Sequence, residues 1–242
     1  MDRRLFLLLT SGGLFAASDA FSQNLGRALG SALGSGPSKG LTGAQAEGGL
    51  REALSNGAVN AVLRVGKTDG YWRDDKIRIP LPGVLGQTQR TLGRIGLSGP
   101  LDDLHHKVNG AAEKAAPQAR DMFVGAIRSM TVEDAVGLVR GGNTSGTDYL
   151  KNKTTPQLTT LFRPPMASAL GSTGALQSLD RVVAGNKLGG AMGKSPSDTL
   201  TDFAVGKALD GLFYYVGEEE RAIRTNPAKR TSDLLKKTFG GL

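Results

Sequence analysis

The sequence predicts an all-α protein, arranged as a single multi-helix, bundle-like domain with a long central helix near the C-terminus. Apolar residues recur at i, i+3 and i+4 spacing through most of the chain, as one buried helix face requires. Residues that start and stop helices punctuate these stripes. Strand-like alternation occurs only at 77–82, where two prolines would each remove a hydrogen bond from a sheet. We expect an extended segment there, or at most a short edge strand.

The first 22 residues have the features of an export signal. Arg3 and Arg4 precede an apolar run at 5–17, which is too short to cross about 30 Å of hydrocarbon. Such a run fits the core of a signal peptide, so we expect residues 1–22 to be removed and the protein to be periplasmic; an uncleaved N-terminal anchor is the alternative. The arginine pair fits twin-arginine export and the leucine-rich run fits the general secretory route, so both routes stay open. Residues 23–41 are predicted to be a Gly/Ser-rich linker, followed by the helical domain at 42–242.

Apolar stripes predict four helices in the first half of that domain, at residues 42–65, 84–95, 101–116 and 118–130. Gly96 ends the second of these in the manner of a C-terminal helix glycine. Thr131, with an acid three residues later, predicts the start of a fifth helix, which stops at Gly141.

Prolines shape the predictions for the second half. The Thr155-Pro156 pair places proline where a first helical turn tolerates it, so a helix is expected to start there. Pro164-Pro165 is expected to kink or end it. Further helices are predicted at 175–183, at 196–224 and from Asn226-Pro227 to Phe239. The helix at 196–224 is apolar around so much of its circumference that a central position is expected.

Composition and spacing exclude several classes of function. The chain has no cysteine and two histidines, which excludes disulfides, thiol catalysis and Cys- or His-rich metal sites. A net charge of +8 outside the cytoplasm favours an anionic membrane surface over nucleic acid, and the few aromatic residues argue against single-strand binding. No spacing assembles a nucleophile, a base and an orienting residue. We therefore predict no catalytic residue, no metal and no cofactor.

Two polar clusters have structural explanations. His105 and His106 are adjacent on a helix and point about 100° apart, so one is expected to pack and the other to be solvated. Glu220 is expected to pair with Arg224 one turn later on a solvated helix face. A hydrolase built on Glu219 and Glu220 is the least favoured function.

A candidate ligand site rests on large aromatic side chains. Tyr71 and Trp72 occupy a turn, where exposed aromatic residues often serve binding. Together with aromatic residues of the long helix they would line a pocket between helices for an apolar or amphiphilic ligand, whose headgroup two arginines would meet. The candidate residues are Tyr71, Trp72, Arg73, Phe213, Tyr214, Tyr215 and Arg224. The alternatives are that Tyr71 and Trp72 pack on the core, and that the protein is an envelope interaction or scaffold protein without a small ligand.

Three blocks of sequence follow one another in a specific order. They are DGYW at 69–72 leading into IRIPLP at 77–82, AAP at 115–117 leading to MTVEDA at 130–135, and KALDGLFY at 207–214 leading to TSDLLKK at 231–237. Together they resemble the bacterial domain-of-unknown-function family 4197, over about residues 45–240. The resemblance implies a helical, exported envelope protein, and it implies no activity and no site residues.

Overall fold

The structure is a computed structural model that describes residues 41–172 and 196–241. The predicted signal peptide, the linker up to residue 40 and the helix predicted at 175–183 lie outside the described residues. The α-helices of the described residues are α1 (Gly43–Val65), α2 (Gly83–Gly93), α3 (Gly99–Ala115), α4 (Ala119–Arg128), α5 (Val132–Arg140), α6 (Ser145–Gly171), α7 (Pro196–Thr225) and α8 (Asp233–Phe239). Two 3-10 turns, Ala116–Gln118 and Pro227–Lys229, connect neighbouring helices, and none of the described residues is in a strand. The all-α prediction is confirmed.

The long helix α7 lies in the middle of the described domain, as predicted. It packs most extensively against α6 and α1, and it also contacts α3 and α8. Its buried residues point in several directions, because neighbours cover it on more than one side; they include Ala204, Val205, Ala208, Leu209, Leu212, Phe213 and Val216. Gly57 of α1 allows the close approach of α7, since a Cβ there would meet the Glu219 Cβ at 3.3 Å.

Side-chain caps begin two helices where the sequence places them. The Thr42 hydroxyl accepts a hydrogen bond from the Gln45 N–H, and the Gln45 side chain accepts one from the Thr42 N–H. Thr131 and Asp134 make the same reciprocal pair at the start of α5. Each pair satisfies N–H groups that a helix leaves without an internal partner, which explains why both helices begin at these residues.

The predicted helix start at Thr155-Pro156 and the predicted end at Pro164-Pro165 are wrong, because α6 is one continuous helix through Pro156, Pro164 and Pro165. An interior proline costs about 3 kcal/mol. Each large apolar side chain that becomes fully buried contributes about 1.5–3 kcal/mol. The fully or almost fully buried side chains of α6 that offset the proline cost are Leu150, Leu158, Phe162, Met166 and Leu170. Tertiary burial therefore overrides the local stop signal.

The C-terminal segment differs from its prediction in a smaller way. Asn226 caps the 3-10 turn Pro227–Lys229, and α8 begins later, where the Ser232 hydroxyl accepts a hydrogen bond from the Leu235 N–H. The predicted end at Phe239 is confirmed. Across the described ranges, no helix has both the length and the apolar character that crossing a bilayer requires.

Candidate functional site

The turn between α1 and α2 is held against α3 by one buried carboxylate. Glu113 accepts hydrogen bonds from the backbone N–H groups of Asp69 (3.1 Å), Tyr71 (3.0 Å) and Trp72 (3.1 Å). Asp69 has a φ of 59°, a left-handed conformation that aspartate adopts more readily than most residues. Hydrogen bonds to an ionised acceptor are stronger than neutral ones, so this carboxylate sets the position of the Tyr71-Trp72 pair.

The strand-like segment that follows is paired with a side chain instead of a second strand. The Ile79 N–H donates to Asn109 Oδ1 at 2.9 Å, and Asn109 Nδ2 donates to the Ile79 carbonyl at 3.0 Å. Ile77, Ile79 and Leu81 are buried, whereas Arg78 is exposed, as the alternation predicts. The buried amide therefore satisfies the backbone of an extended segment that has no sheet to join.

Tyr71 is a core residue. Its side chain is fully buried, and its hydroxyl donates to the Ala208 carbonyl at 2.7 Å. Burial, with the Glu113 charge nearby, raises the pKa of Tyr71 far above its ordinary value. The ring lies directly on α7, since a Cβ at Gly211 would come within 2.8 Å of Tyr71 Cε1. Tyr71 therefore packs on the core, which is one of the alternatives given from the sequence.

Trp72 lies between two histidines at the edge of the domain. Its ring meets the rings of His105 and His106 edge to face, at centroid distances of 4.9 and 5.0 Å. His105 is partly buried and His106 is exposed, which confirms the prediction that one packs and the other is solvated. Burial is the main cause that lowers the pKa of His105. Within residues 41–172 and 196–241, no group of three His, Asp or Glu side chains could hold a metal ion.

Tyr215 anchors the same turn to α7 from the other side. It is buried, its hydroxyl donates to the Asp74 carboxylate, and the Arg64 guanidinium lies 4.0 Å from its ring centroid. Burial and the neighbouring carboxylate raise the pKa of Tyr215 to about 12. Burial of Asp74 opposes its ionisation, but the hydrogen bond from Tyr215 and the N–H of Lys76 outweigh this and lower its pKa. The pair therefore holds a stable phenol–carboxylate hydrogen bond near neutral pH.

The candidate ligand residues differ in exposure and in position along the chain. Phe213 is buried, with its ring edge to face against Phe123 at 5.8 Å, whereas Tyr214 is 37% exposed. Arg73 points outward and pairs with Asp69 at 2.8 Å. Arg224 lies nine residues after Tyr215 on α7, which is about 14 Å along the helix axis. A ligand role for this set of residues stays a prediction.

Glu220 is buried, so the prediction of a solvated face is wrong for this residue. Its side chain is 1% exposed, and its Oε1 accepts from Arg224 Nε at 2.9 Å. The same carboxylate accepts from the N–H groups of Gly146 (3.0 Å) and Thr147 (2.7 Å), and from the Thr147 hydroxyl at 2.7 Å. It therefore caps the N-terminus of α6, where unpartnered N–H groups favour a negative charge.

Arg224 completes this network, which we call the α6 anchor (Ser145, Gly146, Thr147, Glu220 and Arg224). Its guanidinium donates to the carbonyls of Val139 (3.0 Å) and Leu138 (2.9 Å) and to the Ser145 hydroxyl at 3.0 Å. Every charged group of the anchor is hydrogen-bonded inside the protein, and Glu220 has no oxygen left to act as a general base. The anchor joins α5, α6 and α7, and it explains why α6 begins at Ser145.

A groove of about 580 Å³ opens between α3, α6 and the turn at residues 66–69. Two acidic side chains also line it: Glu113 holds the turn through backbone N–H groups, and Asp69 pairs with Arg73 at 2.8 Å and faces His106 at 3.6 Å. Lys107 pairs with Asp103 at 2.7 Å, whereas Lys114 forms no ion pair with any residue that the structure describes. The groove therefore combines an apolar floor with one unpaired ammonium; its apolar lining includes Ala111, Pro165 and Ala169, and its basic lining Lys107, Lys114 and His106.

The whole described domain corresponds to one family. A family model described as a protein of unknown function (DUF4197) matches residues 40–240. The chain belongs to the DUF4197 family. This match confirms the resemblance seen in the sequence. No curated protein and no solved structure was found to match this DUF4197 chain.

The sequence alone does not reveal the two polar side chains that position the turn of this DUF4197 domain. Glu113 and Asn109 lie on the α3 stripe, and the sequence around them shows only a regular helix. The signal in the sequence was a polar residue within one turn of the apolar positions of a helix. Such a residue must find a hydrogen-bond partner when it is buried. The groove was missed because its walls are far apart in sequence, at 66–69, 106–114 and 165–172.

Proposed function

We propose that this chain is an exported, non-catalytic module of the bacterial envelope that binds an amphiphile with an anionic headgroup in the groove between α3 and α6. The observation that carries the proposal is the pairing of an apolar floor with the unpaired Lys114. The groove has a volume of about 580 Å³, which falls within the range of about 300–1,000 Å³ that is usual for small-ligand sites. The arginine pair and apolar run at the N-terminus support export to the periplasm.

Titration of the purified protein with dodecanoate tests this function, with uncharged dodecyl maltoside as the reference. Gly110 lines the groove, and a Cβ at this position meets open space, so Gly110→Phe obstructs the groove without strain in the helix. We expect this variant to weaken dodecanoate binding at least tenfold. Gly125→Phe on α4 is the matched control, since Gly125 also faces open space, and it should bind as the natural protein does. Unchanged binding by Gly110→Phe refutes the groove as the site.

A second candidate function is an interaction or scaffold protein without a small ligand. The observation that favours it is the close packing of Tyr71, Phe213 and Tyr215, which fills the region where the sequence suggested a pocket. Native mass spectrometry of the purified protein, followed by lipid extraction, separates the two functions. A co-purifying lipid supports the binding module, and a lipid-free protein that retains a protein partner supports the scaffold.

A further inference from the structure

The turn that joins α2 to α3 holds two apolar side chains out in solvent. Ile95 is 66% exposed and Leu97 is 62% exposed. The backbone fixes them there: the Leu97 N–H donates to the Leu92 carbonyl at 3.0 Å and the Gly96 N–H to the Gly93 carbonyl at 3.3 Å. With Gly96 at a φ of 74°, this is the Schellman arrangement that ends a helix. We call residues 95–97 the apolar tip.

The surroundings of the apolar tip are basic. Residues 76–101 contain four basic residues and no acidic residue. Arg90 lies in the last turn of α2 and Arg94 directly follows that helix; both are exposed and adjoin the tip. Among residues 41–172 and 196–241, no carboxylate forms an ion pair with either arginine. Asp102, which follows this segment, accepts hydrogen bonds from Gln89 and Ser98 instead.

We infer that the apolar tip inserts into an anionic membrane surface, with Ile95 and Leu97 among the lipid chains and Arg90 and Arg94 on the phosphates. Apolar side chains gain from leaving water, and arginines near an anionic leaflet gain from its negative potential. Two exposed side chains fall far short of the roughly 800 Å² per partner that a stable protein interface buries. A lipid surface needs no such area, so it fits this small and basic patch best. This site is separate from the groove.

The absence of cysteine from the chain permits a test at single positions. An environment-sensitive dye is attached to the full chain at Ile95→Cys and, in a second sample, at the control Leu63→Cys. Leu63 has the same degree of exposure, 67%, but lies on α1. On addition of vesicles containing one part phosphatidylglycerol to two parts phosphatidylcholine, we expect the emission at position 95 to rise at least twofold and to shift to the blue. The emission at position 63 should stay constant, so insertion by any other segment does not imitate the result.

Charge variants test the arginines in the same dye-labelled chain. Arg90→Gln with Arg94→Gln should raise the vesicle concentration at half-response about 30-fold, because each basic side chain near an anionic surface contributes about a fivefold preference. The matched control replaces two exposed arginines of α4, Arg120→Gln with Arg128→Gln. This control should change the vesicle concentration at half-response by less than about threefold, because these charges lie away from the contact. The inference is overturned if positions 95 and 63 respond equally or if position 95 does not respond. It is also overturned if the emission at position 95 changes with protein concentration when no vesicles are present.

Discussion

The α6 anchor makes a sharp prediction about Glu220. Replacing Glu220 by Gln keeps the volume of the side chain but removes its charge and one of its two accepting oxygens. The N–H groups of Gly146 and Thr147 lie 3.0 and 2.7 Å from the carboxylate, so at least one of them would face an amide NH2. Arg224, whose side chain is 3% exposed, would retain its charge without a counter-charge. The substitution therefore produces both an unsatisfied donor and an unpaired buried cation.

The expected loss of stability follows from these two effects. Removing one partner of a buried ion pair typically costs about 3–5 kcal/mol, because the other charge stays buried without compensation. Arg224→Met should cost a similar amount, since it leaves the Glu220 carboxylate without its cation. The double variant should lose at least about 2 kcal/mol less than the sum of the two single losses, because neither charge is then left alone.

Urea unfolding followed by far-ultraviolet circular dichroism measures these free energies. Glu218→Gln is the control, since Glu218 pairs with Arg221 on the exposed side of the same helix. An exposed pair of this kind contributes less than about 1 kcal/mol. A loss below about 1 kcal/mol for Glu220→Gln, or strict additivity in the double variant, would refute the interpretation of the anchor as a coupled buried network.

Three further predictions concern the turn and its neighbours. Glu113→Gln should lower the free energy of unfolding by about 2 kcal/mol, because at least one N–H group of the turn loses its acceptor. It should also shift the emission of Trp72, the single tryptophan; unchanged emission would contradict the role of Glu113 in positioning the turn. Gly211→Ala should lower the free energy of unfolding by about 1–3 kcal/mol, because the added methyl group overpacks the contact with Tyr71. The control Gly206→Ala faces open space on the same helix and should raise it by about 0.5–1 kcal/mol. Equal effects of the two substitutions would count against a close contact at Gly211. Because the pKa of His105 is lowered in the folded protein, its ring binds a proton more readily in the unfolded chain. The free energy of unfolding should therefore fall as the pH drops below 6.5, the ordinary pKa of histidine. His105→Gln should flatten that dependence between pH 7.5 and 5.5, and an identical pH profile would show that burial of this ring is not its cause.

Local signals account for much of the fold. The start of α5 at Thr131 and the extent of α7 follow from spacing over a few residues, so they are visible in the sequence alone. The continuous α6 is not visible in this way, because Pro156 and the Pro164-Pro165 pair are strong local stop signals. Only the burial of the opposite face of α6 against α3, α4 and α7 outweighs them.

The candidate sites show the same division more strongly. The sequence places Glu220 and Arg224 one helical turn apart, and this spacing is identical for a solvated pair and a buried one. What decides between them is the N-terminus of α6, 73 residues away along the chain at Thr147. Likewise the Tyr71-Trp72 turn attracts attention as a binding element, but its partners Glu113 and Ala208 lie 42 and 137 residues from Tyr71.

The amino-acid sequence by itself determined the helical class, the central helix and the family, because each depends on residue type or on neighbours within a few turns. The tertiary structure decided which polar groups are buried, where a groove opens and which apolar residues stay outside. Those properties depend on contacts between segments distant in sequence, and the free energy of burying a charge or a ring is set by what packs against it.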